Sequence, residues 1–366
     1  MKKKIMTLAL SATMVLALAA CGSGEGSAGG NSTSSAVSSS VQGENGSSDS
    51  SSVSDGDSGN GVSADSNGSA EPSGSGETIT IRSLNANKEE VDLEVPYDPE
   101  RIAILDMASL DILDSLGVGD RVVGSASTSL EYLQDYANNE NIENLGTIKE
   151  ADMEAVMACE PDVIFIGGRL SSSYDALSEI APVVYLATDT EIGVVESVRK
   201  NAGTIASMFG MEEQVDSLMA DFDGRIQALA EFAEGKTAIV GMCTSGSFNV
   251  LGNDGRCSII GVEIGFDNVG VEANIDTSTH GNEASFEYIV EKNPDYIFVM
   301  DRDAAIGTDG AQLAKDIMEN ELVQGTDAYK NGNLVYLEHP AVWYTAEGGI
   351  QAMDLMLQDL ETMLPA

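Results

Sequence analysis

Arginine is scarce in this chain, with eight among 366 residues, yet three of the eight stand where a charge can act on a ligand. Arg169 and Arg302 each follow directly on a short apolar run, at 163–168 and 296–301, that reads as a buried strand. In open α/β sheets ligands bind beyond the carboxyl ends of the strands, because loops and helix N-termini converge there. Both guanidiniums fall at that edge. Arg256 lies in the loop Gly252-Asn253-Asp254-Gly255-Arg256, after another strand. A guanidinium is a planar multiple donor and is less costly to desolvate than an ammonium. Three of them at strand ends point to a local positive pocket for an anion, in a chain with 60 Asp plus Glu against 18 Lys plus Arg. The formal net charge of −42 repels a distant anion, so selectivity has to be local.

Only two histidines occur. His280 sits in the polar turn Asp276-Thr277-Ser278-Thr279-His280-Gly281-Asn282 just before a helix, so packing on an apolar face does not account for it. His339 precedes Pro340 and the segment 341–349, which holds the single Trp, Trp343, next to Tyr344. That segment reads equally as a packed loop leading into the last helix. Catalytic patterns are poor. Gly235-Lys236-Thr237 imitates the end of a phosphate loop, but Ala230 stands where its first Gly belongs and a helix precedes it. Neither His-Glu-x-x-His nor Gly-x-Ser-x-Gly is present, and two histidines leave little acid–base chemistry. No enzyme is expected.

The elements that must carry these residues alternate strand-like and helical periods, the pattern of mainly parallel sheets covered by helices. Strands are predicted at 101–106, 122–126, 163–168, 183–187, 237–243, 296–301 and 334–337. A shift of 133 positions lays 150–169 over 283–302 with eight of twenty residues identical, and both copies end in the arginine that follows the strand. Two related lobes are the expected outcome, at 78–210 and 236–366. Between them, 211–235 has apolar residues every three or four positions from Met211 to Phe232, the stripe of a single long helix joining the lobes.

Forty-two per cent hydrophobic residues suffice for at least one core. No apolar run beyond the N-terminus reaches the roughly 18 residues of a spanning helix. The acidic balance argues against nucleic acid as a partner, since phosphate binding draws on basic residues. Lys2, Lys3 and Lys4, an uncharged stretch, and then Leu18-Ala19-Ala20-Cys21 have the form of an export signal over 1–20. The last four residues resemble the bacterial lipobox, in which the cysteine becomes the lipidated first residue. From 22 to 76 the chain has 20 Ser and 13 Gly. Together with Cys21 this gives a disordered linker over 21–77, since such a segment buries too little apolar area to offset its chain entropy, and it reaches roughly 40 Å as a flexible coil. Cys159, Cys243 and Cys257 read mainly as small buried residues; Cys243 and Cys257 flank a possible hairpin and could pair.

Gly168-Arg169 after a strand, Ser278-Thr279-His280-Gly281, Asp301-Arg302 followed by Ala304-Ala305-Ile306-Gly307, and Trp343-Tyr344 before a Gly-rich helix start fall in one order. In that order, from about Ile79 to the C-terminus, they resemble the class III solute-binding lipoproteins for ferric catecholate siderophores. The resemblance extends to those of petrobactin type and those for enterobactin breakdown products, from Gram-positive bacteria and epsilon-proteobacteria. The resemblance implies two α/β lobes joined by one long helix, and a chelate held between them and delivered to an ABC permease and its ATPase. It implies a monomer with no permanently bound cofactor, anchored through Cys21 on the outer face of a Gram-positive cytoplasmic membrane. It further implies that Arg169, Arg256 and Arg302 face the catecholate oxygens. His280 and Tyr344 would complete the shell of Fe(III) when the siderophore supplies four oxygens, whereas a tris-catecholate would bind through the arginines alone. Lobe-tip Glu residues would meet the permease, with no pair singled out. A ferric hydroxamate, haem or corrinoid receptor has the same architecture, although hydroxamate complexes carry little charge for three arginines to meet. A secreted two-lobed metal-dependent hydrolase is the reading from another class, and the missing metal-ligand spacing opposes it.

Overall fold

The computed structural model describes residues 76–270 and 281–364. The signal segment 1–20, Cys21, the linker up to residue 75, and His280 lie outside the described residues. Among the described residues no helix is long and apolar enough to cross a membrane.

The fold begins with an antiparallel hairpin, β1 (Thr78–Leu84) and β2 (Glu90–Pro96). Then come β3 (Ile102–Leu105), β4 (Val122–Ser125) and β5 (Glu143–Asn144), and a two-residue ladder of β6 (Gly146–Thr147) with β7 (Glu150–Ala151). β8 (Val163–Ile166) and β9 (Val183–Tyr185) complete a first sheet in the order β5-β4-β3-β8-β9, parallel throughout. The second sheet uses β10 (Thr237–Thr244), β11 (Ser247–Val250), β12 (Asp267–Asn268), β13 (Asn282–Glu283), β14 (Tyr296–Asp301) and β15 (Leu334–Tyr336). Its order is β13-β11-β10-β14-β15, with β12 beside β10. β10, β14 and β15 run parallel, and β11 runs antiparallel to both of its neighbours, β10 and β13. All seven predicted strands are present.

The central strands are apolar because both faces are covered. Along β14, Tyr296, Phe298 and Met300 pack into one core, whereas Ile297 and Val299 pack into another on the opposite face, the period of two that a pleat imposes.

The 133-residue repeat is physical. Asp152 caps the helix Met153–Ala158, and Ser285 caps Phe286–Lys292. Residues 152–157 and 285–290 have the same order of exposed, intermediate and buried positions. After each helix a Pro-Asp turn secures the neighbouring strand. Asp162 Oδ2 accepts the backbone N–H groups of Glu100 and Arg101, both at 2.9 Å. Asp295 Oδ2 accepts the N–H of Thr237 at 2.8 Å and its hydroxyl at 2.9 Å. These bonds fix where β3 and β10 start, hence how far β8 and β14 extend and where the arginine after each emerges.

One expectation is corrected. The span 211–235, read as a single helix, is two helices, Glu212–Met219 and Phe222–Ala233. Asp221, at the junction, keeps helical dihedrals, so the break is a kink. One turn later Arg225 bonds to Asp354 at 2.5 Å and Glu361 at 2.6 Å, which holds the second segment on the C-terminal helix Ile350–Glu361. Cys159, Cys243 and Cys257 are buried free thiols. The suggested Cys243–Cys257 bridge is absent.

Candidate functional site

Tyr344 is the residue around which the three arginines assemble. It lies on the helix Pro340–Thr345, is 5% exposed, and is surrounded by guanidiniums from three directions. The carbons at the centres of these groups lie 5.5 Å (Arg169), 4.4 Å (Arg256) and 5.4 Å (Arg302) from its ring centroid, within the range of cation–π attraction. Arg169 Nη2 and Arg256 Nε each donate to the Tyr344 carbonyl at 3.3 Å. Arg302 Nε donates to its phenol oxygen at 3.1 Å. Burial opposes ionisation of the phenol, but the Arg302 hydrogen bond and the charges of Arg256, Arg302 and Arg169 outweigh it and hold its pKa below the ordinary value near 10.

Each arginine is delivered by a local device. Arg169 follows β8 through Gly167-Gly168 into a 3₁₀ turn, Gly168–Ser173. A Cβ on Gly167 would collide with the Asp106 carboxylate, so glycine here leaves that carboxylate in place as the cap of its helix. Arg302 is the first residue of the helix Arg302–Ala305, which is capped by Asp301. Arg256 precedes Cys257, a non-glycine residue in the left-handed region at φ 61°. The N–H of Cys257 donates to Glu347 Oε1 at 2.9 Å, which holds the turn that aims Arg256.

The sequence reading missed the carboxyls. Every guanidinium of the trio has one beside it. Arg302 Nη1 pairs with the buried Asp303 at 3.1 Å. Arg169 acts electrostatically on Asp106, and Arg256 on Glu347. Burial raises the Asp106 carboxyl against the bonds from Ser109 and the charge of Arg169. Burial likewise pushes Glu347 up to about 7, against the Cys257 bond and Arg256. Burial lowers Arg256, aided by the like charge of Arg169. The expected positive charge is therefore offset in part, most directly by Asp303 at Arg302. Asp301-Arg302-Asp303 is a visible signal for one partner, whereas Asp106 and Glu347 meet their arginines through tertiary folding alone.

Arg169, Arg256, Tyr344, Asp106 and Glu347 line one cavity of about 180 Å³. On the other side of Thr345 lies a second hollow of about 370 Å³, walled by Met107, Ser129 and Lys149 from the first half and by Ala305 and Ile306 from the second. Ser129 Oγ donates to the Ala305 carbonyl at 3.1 Å and bridges the halves there. His339 turns elsewhere. Its Nδ1 lies 2.7 Å from Asp359 Oδ1, and Trp343 Nε1 donates to Asp359 Oδ2 at 2.8 Å, so both serve packing around one buried carboxylate. Among the described residues no group of three or more His, Cys, Asp or Glu side chains is placed to hold a metal ion.

Two helix-flanked sheets whose carboxyl ends converge on a cleft lined by charged side chains define a two-lobed solute-binding protein of class III architecture. The chain belongs to the periplasmic binding protein family, which matches residues 102–341. It is 36% identical over 271 residues to the petrobactin-binding protein YclQ of Bacillus subtilis strain 168, covering 73% of this chain and 83% of that one. The crystal structure of YclQ matches with a TM-score of 0.72 at 35% identity, over 78% of this chain and 98% of that one. The ferric-anguibactin-binding protein FatB of Vibrio anguillarum is 29% identical over 273 residues, 72% of this chain and 81% of that one. The periplasmic catecholate-siderophore binding protein VctP of Vibrio cholerae matches with a TM-score of 0.70 at 30% identity, over 78% of this chain and all of that one.

Proposed function

We propose that this chain is an extracytoplasmic receptor that binds a ferric catecholate siderophore between its two lobes and hands it to an ABC importer. The observation that carries this reading is the convergence of Arg169, Arg256 and Arg302 on Tyr344 from separate elements. A catecholate chelate of Fe(III) is a multiply charged anion with a planar oxygen-rich surface, and forked guanidinium donors complement it. Fe(III) is a hard ion suited to phenolate oxygen, and a phenol already biased toward ionisation by Arg302 is ready to supply it. Tyr344, with His280, completes the iron shell when the siderophore offers four oxygens. A six-oxygen chelate binds through the arginines. The relatives whose names specify petrobactin, anguibactin and catecholate siderophores support this ligand class.

The lipobox-like Leu18-Ala19-Ala20-Cys21 makes residues 1–20 a signal and Cys21 a lipid anchor, with 21–77 as the tether to lobes at 78–210 and 236–366. The exposed Glu154 and Glu287 occupy the same place in the two copies of the repeat. They are the pair that meets the two halves of the permease. The decisive experiment titrates the purified protein with ferric tetra- and hexadentate catecholates, following Trp343 fluorescence and the ligand-to-metal absorbance. No response at micromolar ligand overturns the reading.

A further inference from the structure

Each guanidinium around Tyr344 has a carboxyl near it, two of the three carboxyls, Asp106 and Glu347, line the cavity, and the three are held differently. Asp303 is committed. It pairs with Arg302 at 3.1 Å and accepts from the N–H of Ser245 at 2.6 Å, so it remains a fixed part of the frame. Asp106 caps its own helix, accepting the N–H and hydroxyl of Ser109, both at 2.9 Å. Glu347 lines the cavity and has one hydrogen bond of its own described, from the backbone N–H of Cys257. The groups that face it are Arg256, Cys257 and Glu263 from the segment across it, and Asp106, Arg169 and Tyr344 share its cavity. Glu263 itself caps the N–H groups of Val194 and Val195, with its second oxygen enclosed and without a partner.

An anionic chelate entering this cavity meets Arg256 with a carboxylate already beside it. Ionised, that carboxylate repels the guest at close range. Protonated, it removes the repulsion and no longer competes with the guest for Arg256. Resting on the receptor reading above, we propose that Glu347 is the charge-selecting residue of the cavity. It is partly ionised beside Arg256 before a ligand enters and becomes wholly neutral, with a proton drawn from solution, once an anionic chelate is seated. A neutral chelate gains nothing from that proton. Glu347 therefore discriminates by ligand charge, and binding of an anionic chelate is linked to proton uptake.

The test is titration calorimetry at pH 7 in two buffers of different ionisation heat, with the ferric complex of a hexadentate tris-catecholate. That probe fills the iron shell and keeps Tyr344 out of it. Wild type is expected to take up about half a proton more than Glu347→Gln. Equal proton counts in the two proteins overturn the proposal. If neither protein binds the complex, the receptor reading itself falls, and with it this one. Should the Gln variant not fold, Tyr344→Phe protein, which has no phenol to titrate there, decides the matter. Its affinity for the same complex is expected to fall several-fold from pH 7 to 9, and a flat profile overturns the assignment.

Discussion

Arg302 Nε and the phenol oxygen of Tyr344 are joined by a 3.1 Å hydrogen bond between the helix that follows β14 and the helix Pro340–Thr345. On the reading proposed above, this one contact would position an anion donor and pre-polarise an iron donor at once. Arg302→Ala is therefore expected to return the Tyr344 pKa toward its ordinary value, read from the labelled tyrosine resonance. It should also weaken an anionic chelate roughly 10- to 100-fold, the worth of a charge-assisted bond. A variant whose phenol titrates as in wild type would refute the coupling.

Tyr344→Phe separates the two kinds of chelate. The ring and its contacts with three guanidiniums stay, and only the oxygen goes. A tetradentate ferric catecholate should lose at least about tenfold in affinity, together with its ligand-to-metal band, while a hexadentate one changes little. Equal losses for both would rule out phenolate ligation.

Asp111 links the first lobe to the last helix. It is 1% exposed, accepts the N–H groups of Gln351 and Ala352 at 2.8 and 2.9 Å, and takes a 2.7 Å bond from the Tyr132 hydroxyl. Burial pushes its carboxyl up to about 6, above the ordinary 3.8, in spite of these bonds. The folded state thus holds a proton that the unfolded chain has released. The stability this confers is fully present below pH 3.8 and is lost as pH rises through about 6. Asp111→Asn has no such group, so its stability relative to wild type should rise across that window in urea unfolding series. A constant difference would show that Asp111 does not titrate there.

Charge reversal of Glu154 and Glu287 tests the handover. Both are exposed on short helices at repeat-related positions, so the double Arg variant should bind chelate as wild type does and fail to support radio-iron uptake by cells. Single variants are expected to fall between. Undiminished uptake would move the docking surface elsewhere.

The positions of Arg169 and Arg302 were legible because strand ends are marked by apolar runs that stop abruptly. The 133-residue repeat was legible because the Pro-Asp turns do the same mechanical work in both copies. The helix at 211–235 was misread because an unbroken apolar stripe does not register a kink that long-range pairing of Arg225 with Asp354 and Glu361 accompanies. Glu347 and Asp106 were invisible for a similar reason. In so acidic a chain a carboxylate has no distinguishing local signature, and its partner lies many residues away. His339, equivocal as a loop residue, was resolved by Asp359, twenty residues downstream.

Tyr344 lies outside both copies of the repeated segment, 150–169 and 283–302, whereas Arg169 and Arg302 are its matching last residues. On the receptor reading proposed above, scaffold and palate are thus separate: a duplicated grip supplies two of the arginines, and the single helix Pro340–Thr345 supplies the phenol that would finish the metal. Exchange of that helix alone would then redirect such a receptor to a different cargo and leave the duplicated frame intact.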